Sequence, residues 1–418
     1  MNPKALLDLA VDLLREVLRF EIPADAVVSA FFRQYRTLGS RERHALAETI
    51  YALLRERLLW QNMAQSGFGP LERRLVILAW AGQEAFLRAA LTPDELRWLE
   101  STRTLDRTTL PERLRHNLPD WLANALKPAL GDEFWPLVES LNRPAGLDLR
   151  VNTQKAKREE MQATLAAAGI ETVVTPHSPW GLRTVSKPAL YKMDCFVTGQ
   201  IEVQDEGSQL LALLTEAKRS EMVVDFCAGA GGKTLALGAM MRNTGRLYAF
   251  DVSAYRLDAL KPRLARSGLS NVYPAGISHE RDERVKRLSG KIDRVLVDAP
   301  CSGLGTLRRN PDMKWRQSPA AVEELVLKQK AILQSAARLL KPGGRLVYAT
   351  CSLLPAENEE VARAFTAEHD EFTVVPVADI LARQKVAAAA ELCQDEFLRL
   401  WPHRHGTDGF FAAAWERR

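Results

Sequence analysis

Two Cys-Ser pairs stand where apolar strands run out. Asp298-Ala299-Pro300-Cys301-Ser302-Gly303 follows DRVLV, and Thr350-Cys351-Ser352 follows GRLVYA, itself preceded by the Lys341-Pro342-Gly343-Gly344 turn. An ionised thiol is a soft nucleophile that adds to electron-poor carbon. One cysteine at a strand end is more often a buried, inert thiol. Two of them, each beside hydroxyl residues and each at a strand's carboxyl end, reverse that judgement. Pro300 stiffens the exit from its strand, so Asp298 and Cys301 are held rather than loose.

A second constellation runs Asp225-Phe226-Cys227-Ala228-Gly229-Ala230-Gly231-Gly232-Lys233-Thr234, where a strand enters a glycine-rich turn and then a helix. It is not a Walker A loop, because the first glycine that loop needs is replaced by Cys227. It is not the dinucleotide pattern either, whose third glycine would fall on Thr234. What remains is a turn that a ligand can approach closely, with Asp251 at the end of the next strand, RLYAFD, placed to accept two ribose hydroxyls of a nucleoside. A tight connection and a surface aspartate would explain either feature alone; the pair favours a nucleoside site.

Strands and helices that would carry these residues can be read from period and punctuation. From Val223 onward, β-branched runs (MVVDFC, RLYAFD, NVYPAG, DRVLVDAP, GRLVYATC, FTVVPV, GFFAAAWER) alternate with helical stretches, which predicts a doubly wound, largely parallel sheet. In such sheets ligands bind along the carboxyl ends of the strands. The Gly229 turn, Asp251, Asp298, Cys301 and Cys351 should therefore meet on one rim. Leu147 to about Val203 reads as a small α+β module of short runs (LDLRVN, IETVVTP, GLRTVS, CFVTGQIEVQ) around one helix, KREEMQATLAAAG, closed by Gly169. The first third is helical in period, with Thr92-Pro93-Asp94-Glu95 as a helix start. The expected division is 1–135, 140–205 and 206–418.

The 418 residues suffice for two or three domains, and 46% hydrophobic with 26% charged content is that of a globular chain. No long uncharged apolar run appears, and the amphipathic start does not read as a signal peptide, so a cytoplasmic location is expected. Five scattered cysteines without a C-x-x-C pair suggest reduced thiols and no metal site. Cys195 and Cys393 are read as structural. A net charge of +5 is compatible with nucleic acid but does not require it.

Taken together, these motifs resemble the Sun/Fmu-type RNA cytosine-5 methyltransferases, a bacterial branch of which modifies 16S ribosomal RNA. The match rests on the turn ending Gly-Gly-Lys-Thr, on Asp-Ala-Pro-Cys-Ser-Gly, on Arg308-Arg309-Asn310-Pro311-Asp312-Met313-Lys314-Trp315-Arg316, and on Thr-Cys-Ser after a Gly-Gly strand. The helical third resembles that branch's NusB-like RNA-binding domain. The middle module resembles its RRM-like domain, including Val203-Gln204-Asp205-Glu206-Gly207-Ser208. The chain departs from the family twice. Gly229 and Ala230 replace the Ala-Pro of its usual Cys-Ala-Ala-Pro-Gly-Gly-Lys turn, and Ala275-Gly276-Ile277-Ser278 stands where an aspartate commonly faces adenine.

The resemblance implies a class I, Rossmann-like methyltransferase sheet that binds S-adenosyl-L-methionine through Cys227, Ala228, Gly229, Ala230, Gly231, Gly232, Lys233, Asp251, Arg256, Ser278 and Asp298. It makes Cys351 the nucleophile toward carbon 6 of cytosine and gives Cys301 the release step. Asp298 would bind the cytosine edge, and Lys233 would either lower the thiolate pKa or bind the base. Arg308, Arg309, Lys314, Trp315 and Arg316 are expected to contact RNA phosphates and stack a base, against the alternative of a solvated charged loop with a packed tryptophan. His403-Arg404-His405 could line the same groove. A monomer acting on a single-stranded or flipped cytosine is expected. The same chemistry on transfer RNA or large-subunit ribosomal RNA, and an inactive RNA-binding ribosome assembly factor, stay open as alternatives.

Overall fold

The apolar spacing of LLDLAVDLLREV gives the helix Pro3–Val17, which turns Leu6, Leu7, Ala10, Leu13, Leu14 and Val17 into a core shared with Ala24–Gln34, Ser40–Arg55 and Leu71–Ala79. Each fully buried leucine contributes about 1.5 to 3 kcal/mol of transfer free energy, so this helical core is substantial in its own right. Thr92 caps Pro93–Thr102 as expected: its hydroxyl accepts from Glu95 N–H, and the Glu95 carboxylate accepts from Thr92 N–H.

The computed structural model describes residues 1–186 and 188–418. It divides into two units, Met1–Pro144 with Thr306–Pro319, and Ala145–Gly305 with Ala320–Arg418. The expected division follows sequence pattern, whereas these units group the chain by packing. The α+β module and the large sheet pack as one unit, and the segment Thr306–Pro319 leaves the sheet to join the helical unit.

In the second unit, β1 (Leu147–Val151), β2 (Thr172–Val174), β3 (Gly181–Thr184) and β4 (Ile201–Val203) form an antiparallel sheet of order β2-β3-β1-β4. With the helices Arg158–Ala167 and Asp194–Val197 this is the split βαβ, ferredoxin-like arrangement. The run CFV, expected within a strand, is instead that second helix. The helix from Arg158 ends before Gly169, whose φ of +77° suits glycine alone at low cost.

The large sheet contains β5 (Met222–Asp225), β6 (Arg246–Asp251), β7 (Val272–Gly276), β8 (Ile292–Asp298), β9 (Leu340–Thr350), β10 (Phe372–Val374), β11 (Cys393–Gln394), β12 (Phe397–Leu400) and β13 (Phe410–Arg417). Its order is β11-β12-β13-β9-β8-β5-β6-β7, with β10 beside β13. β7, β6, β5, β8 and β9 run parallel, and β13 lies antiparallel to β9. The direction of winding reverses beside β5, the switch point at which open α/β sheets bind ligands. Helices cover both faces, so Val223, Leu247 and Leu296 lie in one core layer and Val224, Phe250 and Val297 in the other. The hairpin of β11 and β12 was not anticipated; its strands are too short to show a period. No described helix is long and apolar enough to cross a membrane.

Candidate active site

Five strands end on one rim: β5 at Asp225, β6 at Asp251, β7 at Gly276, β8 at Asp298 and β9 at Thr350. Beyond β8 and β9 the chain brings the two cysteines together. Cys301 Sγ and Cys351 Sγ are 3.4 Å apart, both half-buried. The hydrogen bond between them, reinforced by burial and by the negative charge of Glu357, pushes the Cys301 thiol well above its usual range. Cys301 therefore rests as a proton-bearing thiol facing the second sulfur.

Glu357 was not singled out in the sequence, yet it ties the two cysteine loops together. Its carboxylate is fully buried and accepts from Ser302 N–H at 2.8 Å, Ser302 Oγ at 2.5 Å, Ser352 Oγ, and Gln329 Nε2 at 3.0 Å. The serines that follow each cysteine thus share one acceptor, with their own oxygens 3.1 Å apart. The repeated Cys-Ser dipeptide was the available signal. Behind Ser352, the buried Arg399 donates to the carbonyls of Ser352 and Leu353 and pairs with Glu359 at 3.3 Å.

Lys233 Nζ lies 2.6 Å from Asp298 Oδ2. Burial pulls the Lys233 pKa down, but the charge and hydrogen bond of Asp298 outweigh it and the net shift is upward, so the lysine stays an ammonium. Asp225, at the end of β5, accepts from Thr234 Oγ1 at 2.7 Å, while its other oxygen has no partner among the described residues. Burial raises its pKa to about 7. Burial, with Asp225 beside it, also pushes Cys227 well up, which suits a packed thiol in the turn rather than a nucleophile.

The glycine turn has the shape of a ligand cradle. Gly229 (φ +55°) and Gly231 (φ +84°) both take the left-handed region. A Cβ on Gly229 would meet nothing within 4 Å, whereas one on Gly231 would sit 2.0 Å from Leu260 Cδ1. The first glycine therefore borders open space and the second permits close packing. Asp251 Oδ2 accepts from Gly229 N–H at 2.8 Å and Oδ1 from Ser253 N–H at 2.7 Å, which fixes the carboxylate with lone pairs to spare. The helix Gly232–Met240 begins at the turn, so its N-terminus adds backbone donors to the rim. These residues fit the nucleoside and amino-acid moieties of S-adenosylmethionine.

Two further expected cofactor contacts follow β6 and β7. Arg256 is exposed on the first turn of Ala254–Ser267. Ser278 is exposed, with its N–H and hydroxyl both given to Asp282 Oδ2 at 3.0 and 3.1 Å. Val252, directly after Asp251, is an exposed apolar side chain.

The structure places Lys314 and Trp315, expected as RNA contacts, against residues of the helical unit. Lys314 is only 2% exposed, and its ammonium donates to Arg55 O at 2.7 Å. Trp315 Nε1 donates to Leu54 O at 2.7 Å, with its ring against the helical core. Arg316 is half-buried, 3.6 Å from Asp312. Arg308 and Arg309 are half-buried. A tryptophan in a charged run needs an apolar partner, and here it has one. Near the C-terminus His405 is committed: it accepts from Trp401 N–H at 2.9 Å, and its ring meets His177 edge-on.

Comparison with known proteins identifies relatives of this chain. Residues 212–416 match the family model described as 16S rRNA methyltransferase RsmB/F, and residues 118–189 match that of the ferredoxin-like domain of RsmF/B-like methyltransferases. The chain is 34% identical over 313 residues to the probable ribosomal RNA small subunit methyltransferase B of Synechocystis, an alignment that covers 74% of this chain and 69% of that one. For the protein of the same description in Bacillus subtilis the identity is 33% over 308 residues, covering 72% and 66%. The crystal structure of PH0851 superposes with a TM-score of 0.81 at 28% identity, covering 100% of this chain and 99% of that one. At this identity and coverage the chain belongs to the RsmB/F family of 16S rRNA methyltransferases.

Proposed function

We propose that this protein methylates carbon 5 of a cytosine in 16S ribosomal RNA through a covalent adduct between Cys351 and carbon 6 of the base. The observation that carries the reading is the approach of Cys301 and Cys351 to 3.4 Å at the carboxyl ends of adjacent parallel strands. Carbon 5 of cytosine is too weak a nucleophile to be methylated directly. Addition of a thiolate at carbon 6 breaks the 5,6 double bond and turns the base into an enamine. When bound, S-adenosylmethionine supplies the electrophilic methyl group that this enamine carbon attacks.

Cys351 adds as a thiolate, and the Cys301 thiol at 3.4 Å donates a hydrogen bond to that anion before addition. Once Cys351 is consumed in the adduct, Cys301 loses the anion that raised its pKa. Its own proton then passes to solvent, and the Cys301 thiolate takes the proton from carbon 5 in the release step, while the electrons of that C–H bond restore the 5,6 double bond and expel Cys351 as a thiolate. Asp298 and Lys233 form one charged pair that meets the cytosine edge, the carboxylate facing the N3–N4 side as the ring takes up a proton. The base must leave its stack to reach the sulfurs, so a single-stranded or flipped cytosine is required.

Bisulfite sequencing of total RNA from cells with and without this protein tests the proposal. One 16S cytosine should resist conversion only when the protein is present. Protection that appears instead in transfer RNA or large-subunit RNA reassigns the substrate. No difference anywhere, from protein that still binds RNA, favours the inactive assembly factor.

A further inference from the structure

Sheets of the RRM type bind RNA on an open face, where aromatic side chains stack on bases. In this protein the corresponding face is closed. Along β1, Leu147, Leu149 and Val151 turn toward the module's own apolar core, so Asp148 and Arg150 occupy the opposite face. Arg183 of β3 pairs across from Asp148 and Glu202 of β4 across from Arg150, which places all four on that face. Asp148, Arg150 and Glu202 are only 2 to 4% exposed, and none of these three strands carries an aromatic residue.

Asp148 pairs with Arg183 at 2.6 Å, while Arg150 and Glu202 are spent on the cofactor turn. Arg150 donates to Gly232 O at 2.6 Å and to Gln204 Oε1 at 2.5 Å. Glu202 pairs with Arg263 at 3.1 Å and Arg266 at 2.6 Å, and Arg263 in turn donates to Ala230 O at 2.7 Å. Two carbonyls of the glycine turn are thus held by guanidinium groups, one on the module and one anchored by it. The loop after β1 extends the grip, with Gln154 Nε2 on Ala239 O at 2.8 Å and Lys155 Nζ on Arg266 O at 2.6 Å. This turn contains two left-handed glycines, whose backbone is conformationally permissive, so external hydrogen bonds narrow its freedom.

We infer that the ferredoxin-like module acts as a brace that fixes the S-adenosylmethionine turn, with Arg150 and Glu202 as positioning residues, and that its sheet does not read RNA. The inference rests on the cofactor assignment and is independent of the cysteine chemistry. The test uses the full chain with Arg150→Met, Arg150→Lys and Glu202→Gln, the last as the milder variant should Arg150→Met fail to fold. Calorimetry with S-adenosylmethionine should show affinity at least about tenfold weaker in Arg150→Met, partly restored in Arg150→Lys, and reduced in Glu202→Gln. Hydrogen exchange should rise in the peptide spanning Cys227 to Lys233 and stay unchanged in β8 and β9. Filter binding of purified 16S ribosomal RNA without cofactor should be the same for all. Unaltered cofactor affinity with weakened RNA binding would overturn the inference, as would exchange that rises equally throughout the sheet. A parent protein that binds no S-adenosylmethionine would fail the cofactor assignment itself, and the inference with it.

Discussion

Cys301 and Cys351 are fifty residues apart in the chain, yet their sulfurs sit 3.4 Å from each other because β8 and β9 are hydrogen-bonded neighbours in parallel register, with Asp298 opposite Ala349. The strand pairing, not local sequence, creates the pair. It also makes the two thiols separable by experiment. Cys351→Ala should form no protein-RNA species that survives denaturing electrophoresis. Cys301→Ala should add and methylate but stall, accumulating a covalent complex that requires both the RNA and S-adenosylmethionine. Trapping by Cys351→Ala instead would exchange the roles.

Glu357→Ala removes a buried acceptor shared by Ser302, Ser352 and Gln329, leaving several donors unsatisfied. A loss on the order of 3 kcal/mol or more is expected in urea unfolding, and a smaller loss for Glu357→Gln. Geometry at the sulfurs gives a second readout. Diamide takes two hydrogens from a thiol pair to form a disulfide, and the reaction between Cys301 and Cys351 should slow in Glu357→Ala, followed by peptide mass. An unchanged rate in folded protein would show that Glu357 does not set the spacing.

Asp251→Ala should weaken S-adenosylmethionine binding measured by calorimetry, since each bond from a ribose hydroxyl to the carboxylate contributes about 1.5 to 3 kcal/mol. The substitution also frees Gly229 N–H and Ser253 N–H. Asp251→Asn, which keeps an oxygen acceptor, should fall between parent and alanine.

Lys314 gives a pH prediction of definite sign. Burial lowers its pKa from 10.5 to about 7. Between these values the unfolded chain holds a proton that the folded one lacks, so stability rises with pH across that window, by up to about 1.4 kcal/mol per unit. At lower pH the full cost of the buried charge is present. Lys314→Met should flatten the curve and raise stability near neutrality, as read from denaturant midpoints in a pH series. The same variant should leave the salt dependence of RNA binding unchanged, whereas Arg308→Ala with Arg309→Ala should make it shallower if those two arginines neutralise phosphates.

The rim was legible because a parallel sheet converts one-dimensional order into position: a residue just past an apolar β-branched run must lie at the carboxyl edge. Asp251, Asp298 and both cysteines could be placed on that ground alone. Glu357 could not, since it closes the short 3-10 turn Pro355–Glu357, and the paired Cys-Ser dipeptides hint at a shared partner without saying which residue supplies it. Nor could Arg150, which reads as an ordinary strand residue until its opposite face proves covered. The segment after Cys301 misled because cations beside a tryptophan suggest nucleic acid, while the fold uses Trp315 and the Lys314 stem as core material. Burial decides between these uses, and burial of a charged loop is a property of the whole fold.

Division of the chain into units also bears on how this architecture can be taken apart. The backbone passes between the two at Pro144, at Gly305 and again at Pro319, so the helical unit is not a terminal appendage. A gene truncated before residue 145 would leave Trp315 and Lys314 without Leu54 and Arg55, exposing a tryptophan and a run of unpacked backbone in the segment that follows the Cys301 loop. Recombination that exchanges the N-terminal helices for those of another protein faces the same obstacle, because the graft would have to bring its own receptor for an internal loop. Loss or replacement of the helical unit therefore leaves Thr306–Pro319 without its packing partners.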